Sequence, residues 1–498
     1  TGNASFGSDI TSTDPGLATL ADNGGFTQTH AITTGSAAYN TGTNTGAPTN
    51  DQRGIARDGS PDIGAFEYNR VFDQQNALWL STKTDVTGAT TPGLTNWSKG
   101  SVLEFGGPDL SFEPEGTPIN TTDGAFSEVF DLQNFDLTDG STRVSATHFV
   151  SADITVGTTS TFDLKKGDIL LSTNQVETLT SLNSLTVNAE DVFVFRPDGG
   201  TDYSTGSFYM LLENLATDSF NLRALTLVEK DTVIAGFILP KGSFLFSQAT
   251  DGTAGRNIED ILYFDGENVG QGTTSGFVGL LVDGSDIGYT GKITGLDLIE
   301  SDVEIAGTTL LEGQILLSDG VGSAIGLNGH ISDPHDVVVL NVTQIDDQLD
   351  PSMATAERLF QGADVNMTDA SQDISGFSLV ASNQAPSASN MTQTVSYIED
   401  SGTVELDDIV VADSNAAERI TATLRISDIS AGALTTGTFG SSTSVYTAGT
   451  GLWSIYGSIA DVNAALAAVA FVPDANLETN ITLTSHIEDD WGVGPADG

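Results

Sequence analysis

Between positions 71 and 380 apolar residues fall in short runs without a helical period, and four kinds of run return in a fixed order. The first kind ends in serine: Leu78-Trp79-Leu80-Ser81, Ile169-Leu170-Leu171-Ser172, Phe244-Leu245-Phe246-Ser247 and Ile315-Leu316-Leu317-Ser318. The second covers residues 102–105, 191–195, 260–264 and 336–340, and the third 127–130, 208–212, 277–282 and 357–360. The fourth covers 144–150, 222–228, 293–299 and 374–380. Nothing like the fourth kind precedes Leu78, yet a copy follows Phe360. A repeat whose spare piece lies at its far end completes its first unit by pairing there. The strand ending at Val380 is therefore expected beside the one containing Trp79, in a single sheet.

Runs that are apolar at almost every position, such as Val192-Phe193-Val194-Phe195, predict strands buried on both faces. Asp198-Gly199, Asp265-Gly266 and Asp283-Gly284 supply turns between them. About four strands per repeat reads as the blades of a four-unit β-propeller-like body over 71–380. An open stack of β-sandwich units is the other arrangement, and it would need a cap at each end. Residues 1–70 are rich in glycine, threonine and asparagine, with short apolar runs and many turn signals. Past Asn383-Gln384-Ala385-Pro386, an extended linker, residues 381–498 read as a third module of alternating strands. One helix is expected there, capped by Ser458 and running over 459–468.

Charge narrows the possible functions most. Asp and Glu total 67 against 17 Lys and Arg, a formal net charge of −50, spread through all three segments. Such a surface repels nucleic acid and anionic lipid and suits multivalent cations or a salty exterior. With no cysteine, disulfides and thiolate metal sites are out of reach. The opening residues have neither the basic region nor the apolar core of a signal peptide. No apolar stretch is long enough for a transmembrane segment, and the chain reads as a piece of a longer protein.

Three resemblances add to this reading. Asp14-Pro15-Gly16-Leu17, Leu20-Ala21-Asp22-Asn23-Gly24-Gly25-Phe26-Thr27, Thr29-His30-Ala31, Gly35-Ser36-Ala37, Asp51-Gln52-Arg53-Gly54 and Asp62-Ile63-Gly64-Ala65-Phe66-Glu67 follow in order. The set resembles the C-terminal end of right-handed parallel β-helix domains in bacterial surface proteins of the choice-of-anchor type. The central units resemble, more loosely, blade-like repeats of secreted bacterial proteins. Tyr397-Ile398-Glu399-Asp400, Leu406-Asp407-Asp408-Ile409-Val410-Val411-Ala412-Asp413, Ala433-Leu434-Thr435-Thr436-Gly437 and Gly451-Leu452-Trp453-Ser454 come next. With Ala460-Asp461-Val462-Asn463-Ala464-Ala465-Leu466 and Phe471-Val472-Pro473, they resemble the cadherin-like tandem repeats of giant bacterial RTX-type adhesins. That resemblance implies an immunoglobulin-like β-sandwich. The fold expected is all-β throughout.

Calcium is the ligand the acidity best motivates, since it takes six to eight oxygens. Glu399 and Asp400, Asp413 with Asn415 and Glu418, and Asp489 are the candidate ligands. In the adhesin repeats such residues gather where neighbouring modules join. Asn415 stands where a second acid is usual, which removes one charge and weakens binding. Asp283 and Asp286 could hold a cation, although an Asp-Gly turn alone explains them. Asp191, Asp260 and Asp336 open the same strand in three units, and repetition points to turn capping rather than catalysis. Arg53 and Arg57 beside Asp51, Asp62 and Glu67 read as ties on an irregular chain. His330 and His335 with Asp333 and Asp336 lack further zinc ligands. Trp79 reads as core, and Trp97 is a candidate for stacking on sugar.

No nucleophile elbow, phosphate loop or zinc-protease pattern occurs. The function expected is a non-enzymatic extracellular adhesion or structural role at a bacterial cell surface, with calcium stiffening the joints. A cell-surface or matrix component, glycan included, is the expected partner, and self-association into a fibre stays open. The alternative is a polysaccharide-binding or polysaccharide-cleaving protein that uses the central body.

Overall fold

A computed structural model describes residues 16–21, 28–32, 36–43, 45–53, 57, 60–68, 76–112, 121–135, 137, 140–198, 202–215, 222–251, 256–272, 274–346, 350–381, 386–397, 402–413 and 419–489. These are almost entirely strands and turns in small antiparallel sheets, with one α-helix, Ile459–Ala468, among them. The chain divides into two compact units, residues 1–300 with 305–382, and residues 301–304 with 383–498. Residues 1–70 and 71–380 share the first unit.

Four four-stranded sheets make up the central body, and each opens with a run of the fourth kind. They are Val144–Phe149, Ile169–Thr173, Val192–Pro197, Gly206–Leu212; then Leu222–Leu227, Phe244–Gln248, Ile261–Asn268, Ser275–Val282; then Ile293–Leu298, Ile315–Asp319, Val337–Gln344, Met353–Phe360. The remaining sheet runs Ile374–Val380, Ala77–Thr82, Ser101–Ser111, Asp123–Asp131, so its lead strand comes from the far end of the body. Ala77 pairs with Val380, Leu78 with Leu379 and Trp79 with Ser378. The expected pairing is present. The four lead strands also touch in a cycle: 144–149 against 222–227, then 293–298, then 374–380, which returns to 144–149.

Close approach of these strands explains the composition of the phrase. Ala146, Ala224, Gly295 and Gly376 occupy one register, opposite Ser172, Ser247, Ser318 and Ser81, and those serines are fully buried. A Cβ on Gly295 would lie 2.3 Å from Phe377, and one on Gly376 would lie 3.1 Å from the Ala146 backbone. Only small side chains fit on either side of this crossing. The residue just before it, Ser145, Arg223, Thr294 or Ser375, is bulged out of its ladder in all four strands. A bulge leaves its residue unpaired and re-aims the side chain.

The repeated aspartates are turn braces. Asp191 accepts from the Asn188 and Asn214 amides, Asp260 from Asn257 and Gly284, and Asp336 from Asp333 and Gly362. Each carboxylate ties the loop entering its strand to the loop after the next strand. Trp79 is core, edge-on to Phe149 and Tyr203.

Within residues 1–70, Leu17–Ala21 pairs antiparallel with Thr29–Ile32. Arg53 bonds Asp51 at 2.9 Å and lies over Phe66, while Arg57 bonds Glu67 at 2.7 Å. Asp51, Asp62 and Glu67 also accept backbone amides, from Glu67, Tyr68 and Asp62 in turn. These groups are bound up in holding the chain.

In the second unit a four-stranded sheet (Val445–Thr447, Leu452–Ser458, Arg419–Ile426, Leu483–Asp489) and a three-stranded one (Val404–Glu405, Ala470–Pro473, Gly432–Leu434) enclose a core around Trp453, Leu424 and Phe471. Along Arg419–Ile426 every second residue is buried, the period a one-sided strand requires. Ser458 caps the helix by accepting the Asp461 amide at 3.2 Å. Its bounds are those the sequence predicts.

Candidate functional site

Two residues past the small position, the lead strands present His148, Thr226, Asp297 and Ser378, again in one register. These four join into a buried polar layer. The Thr226 hydroxyl lies 2.7 Å from the Asp297 carboxylate and 3.0 Å from His148 Nδ1. Asp297 also accepts from the Ser378 hydroxyl and, at 2.5 Å, from the Leu379 amide of the closing strand. His148 Nε2 sits 3.2 Å from Glu229, which in turn accepts from the Ser151 and Ala152 amides. Glu300 accepts the Glu229 amide at 2.6 Å.

Electrostatics make this layer a lock. Burial would lower the His148 pKa, but hydrogen bonds and charge from Asp297 and Glu229 outweigh it and raise the value to about 9. The imidazolium is therefore held charged between two carboxylates. Burial first, then the neighbouring Glu229, pushes Glu300 well above the usual carboxylate range. A neutral Glu300 avoids placing a third negative charge in the layer.

At the other end of the lead strands three of the bulged residues, Arg223, Thr294 and Ser375, line a cavity of about 220 Å³. Lys83, Arg143, Arg223 and Lys292 line it, with Thr294, Ser375 and one carboxylate, Asp373. An adjoining lobe of about 130 Å³ shares Arg143, Arg223 and Ser375. Lys83 pairs with Asp373 at 3.4 Å, and His335 approaches the same carboxylate at 3.5 Å. Four of the chain's 17 basic residues thus meet in one place on a protein with 67 acids.

Among the described residues one group of carboxylates is arranged so that it could hold a metal ion. Asp283, Asp286 and Asp346 bring carboxylate oxygens within 4.8 Å of one another. Asp283 caps the short turn through the Ser285 amide, and Asp286 accepts the Ser352 amide. The Asp-Gly turn expected from the sequence is there, and Asp346 joins it from 60 residues further on.

Of the six predicted calcium ligands, Glu399, Asp400, Asn415 and Glu418 lie outside the described residues. Asp413 is half-buried just past Val410–Ala412, and Asp489 is buried at the end of its strand. His335 lies 2.9 Å from the Asp369 carbonyl and 3.5 Å from the Asp373 carboxylate, and Asp336 accepts the Gly362 amide. Trp97 corrects the sugar-stacking expectation. It is buried, lies over Phe126 and donates its indole N–H to Thr82.

The basic convergence and the polar layer escaped the sequence reading. A usable signal existed in the register of the fourth run: Arg143, Arg223 and Lys292 each stand within one residue of a lead-strand start. No protein-family model, no curated protein and no solved structure matches the chain.

Proposed function

We propose that this chain serves in a non-enzymatic extracellular surface protein, adhesive or structural, as a presenting body followed by a cadherin-like sandwich. The observation that carries the reading is the pairing of Ala77 with Val380. It supports a closed, four-bladed propeller-like ring sealed by its last strand, and the cycle of lead-strand contacts supports the same closure. A chain that enters and leaves by neighbouring residues adds little length to a stalk, so the body suits display. Residues 1–70 take the place of a β-helix end in this reading, on the strength of their motif order.

Calcium enters through Glu399, Asp400, Asp413, Asn415, Glu418 and Asp489, and a net charge of −50 gives any bound cation a stabilising role. Thermal melts in calcium and in chelator test this. Chelation lowers at least one unfolding midpoint if calcium stiffens the protein. Superimposable melts, with no calcium uptake by calorimetry, reject the calcium role.

The alternative, polysaccharide binding or cleavage by the body, draws on its cavity and the charged residues around it. Release of reducing sugar from a glycan panel would move the assignment to an enzyme.

A further inference from the structure

The cavity at the start of the lead strands holds more positive charge than the protein neutralises. Among the described residues no carboxylate lies within 4.0 Å of the side-chain nitrogens of Arg143, Arg223 or Lys292. The Nε atoms of Arg143 and Arg223 are buried and have no hydrogen-bond partner. A guanidinium carries five donors and no acceptor, so leaving Nε dry costs free energy that the native state normally avoids. Burial lowers the pKa of both arginines, and for Arg143 the neighbouring Arg223 adds to the effect. Two like charges are held together at the mouth of an open space.

The backbone builds this arrangement. Arg223 sits on a β-bulge, and the bulged residues Thr294 and Ser375 line the same cavity. Asp373, the one lining carboxylate, is engaged by Lys83 and His335. Both hydroxyls are also engaged, Thr294 with Ser318 at 2.9 Å and Ser375 donating to the Val144 carbonyl at 2.9 Å. What remains is a pair of guanidinium groups and an ammonium around about 220 Å³. That volume lies below the roughly 300–1,000 Å³ of pockets for drug-sized ligands, so the guest is compact.

We propose that this cavity binds a compact oxyanion, a carboxylate, sulfate or phosphate group free or on a small molecule, gripped by Arg143 and Arg223 with Lys292 and Lys83 at its rim. Planar guanidinium donors match the paired oxygens of such groups. The protein's overall negative charge does not forbid it, because salt screens distant charges beyond about 8 Å at physiological strength. Closely packed cations inside the cavity are screened much less. The inference holds whether or not the chain is an adhesin, since it rests on the cavity alone.

The test is thermal unfolding of the full chain in sulfate, phosphate or glucuronate, against chloride at equal ionic strength and against neutral glucose. A saturable rise in midpoint of roughly 2 °C or more with an oxyanion, absent with chloride and glucose, is expected. Sulfate or phosphate acting alone identifies a free inorganic ion, and glucuronate acting alone identifies a sugar acid. Arg223→Gln should abolish the rise while leaving the midpoint without anion unchanged or higher, because it removes an uncompensated buried charge. Lys292→Gln, at a half-buried rim position, should weaken the rise several-fold and serves if the first variant does not fold. No oxyanion-specific rise in the native chain, or a full rise in the variant that folds, overturns the proposal.

Discussion

His148 carries the clearest consequence at the scale of single residues. Its pKa is about 9 in the folded protein against 6.5 for a free imidazole. A base whose folded pKa is raised contributes stability below its unfolded value and loses it as pH climbs through the folded one. Stability should therefore decline between about pH 6.5 and pH 9, by on the order of 3 kcal/mol from this group. Asp260, pushed up to about 6 by burial against the pull of two backbone amides, titrates mostly below that window. Urea melts across the window should show the decline, and His148→Gln should flatten it whatever it does to absolute stability. An unchanged slope in the variant would remove His148 from the account. The sequence offered no warning of this layer. His148, Thr226, Asp297 and Ser378 are separated by whole sheets, and only shared register in the lead strands brings them together.

Elements were far more legible. All four kinds of apolar run became strands, because a run apolar on both sides suits a strand sandwiched between sheets. The helix at Ile459–Ala468 was legible from its cap, since a serine before an apolar-periodic stretch satisfies an end amide. What the pattern hid was direction: a bulge changes where one side chain points without changing the run that contains it, and Arg223 is the example. The closing strand is the element with most at stake. Without Ile374–Val380, the edge of Ala77–Thr82 is left unpaired, and Asp297 loses its Ser378 and Leu379 donors. A chain ending at residue 382 should keep the cooperative unfolding of the body. One ending at residue 373 should lose it and aggregate through the exposed edge. Equal, cooperative melts of the two would contradict a seal at that strand.

For the whole molecule, acidity works against the pairing of the first and last strands of the body. A charge of −50 favours expansion, and the antiparallel pairing of Ala77–Thr82 with Ile374–Val380 concentrates the resistance in a few residues. The polar layer adds to that resistance by bonding all four lead strands, with Asp297 reaching the closing strand directly. Composition revealed the acidity at once but concealed where the few cations gather, because Lys83, Arg143, Arg223 and Lys292 meet only when the lead strands do. The absence of cysteine allows closure to be measured cleanly. Replacing Ala77 and Val380 together by cysteine places two thiols on directly paired residues. Mild oxidation of the folded double variant should give an intramolecular disulfide in high yield, seen as faster migration on a denaturing gel that reverts on reduction. A folded double variant that stays reduced or cross-links only between molecules would mean that the last strand does not lie beside the first, and the ring would be open.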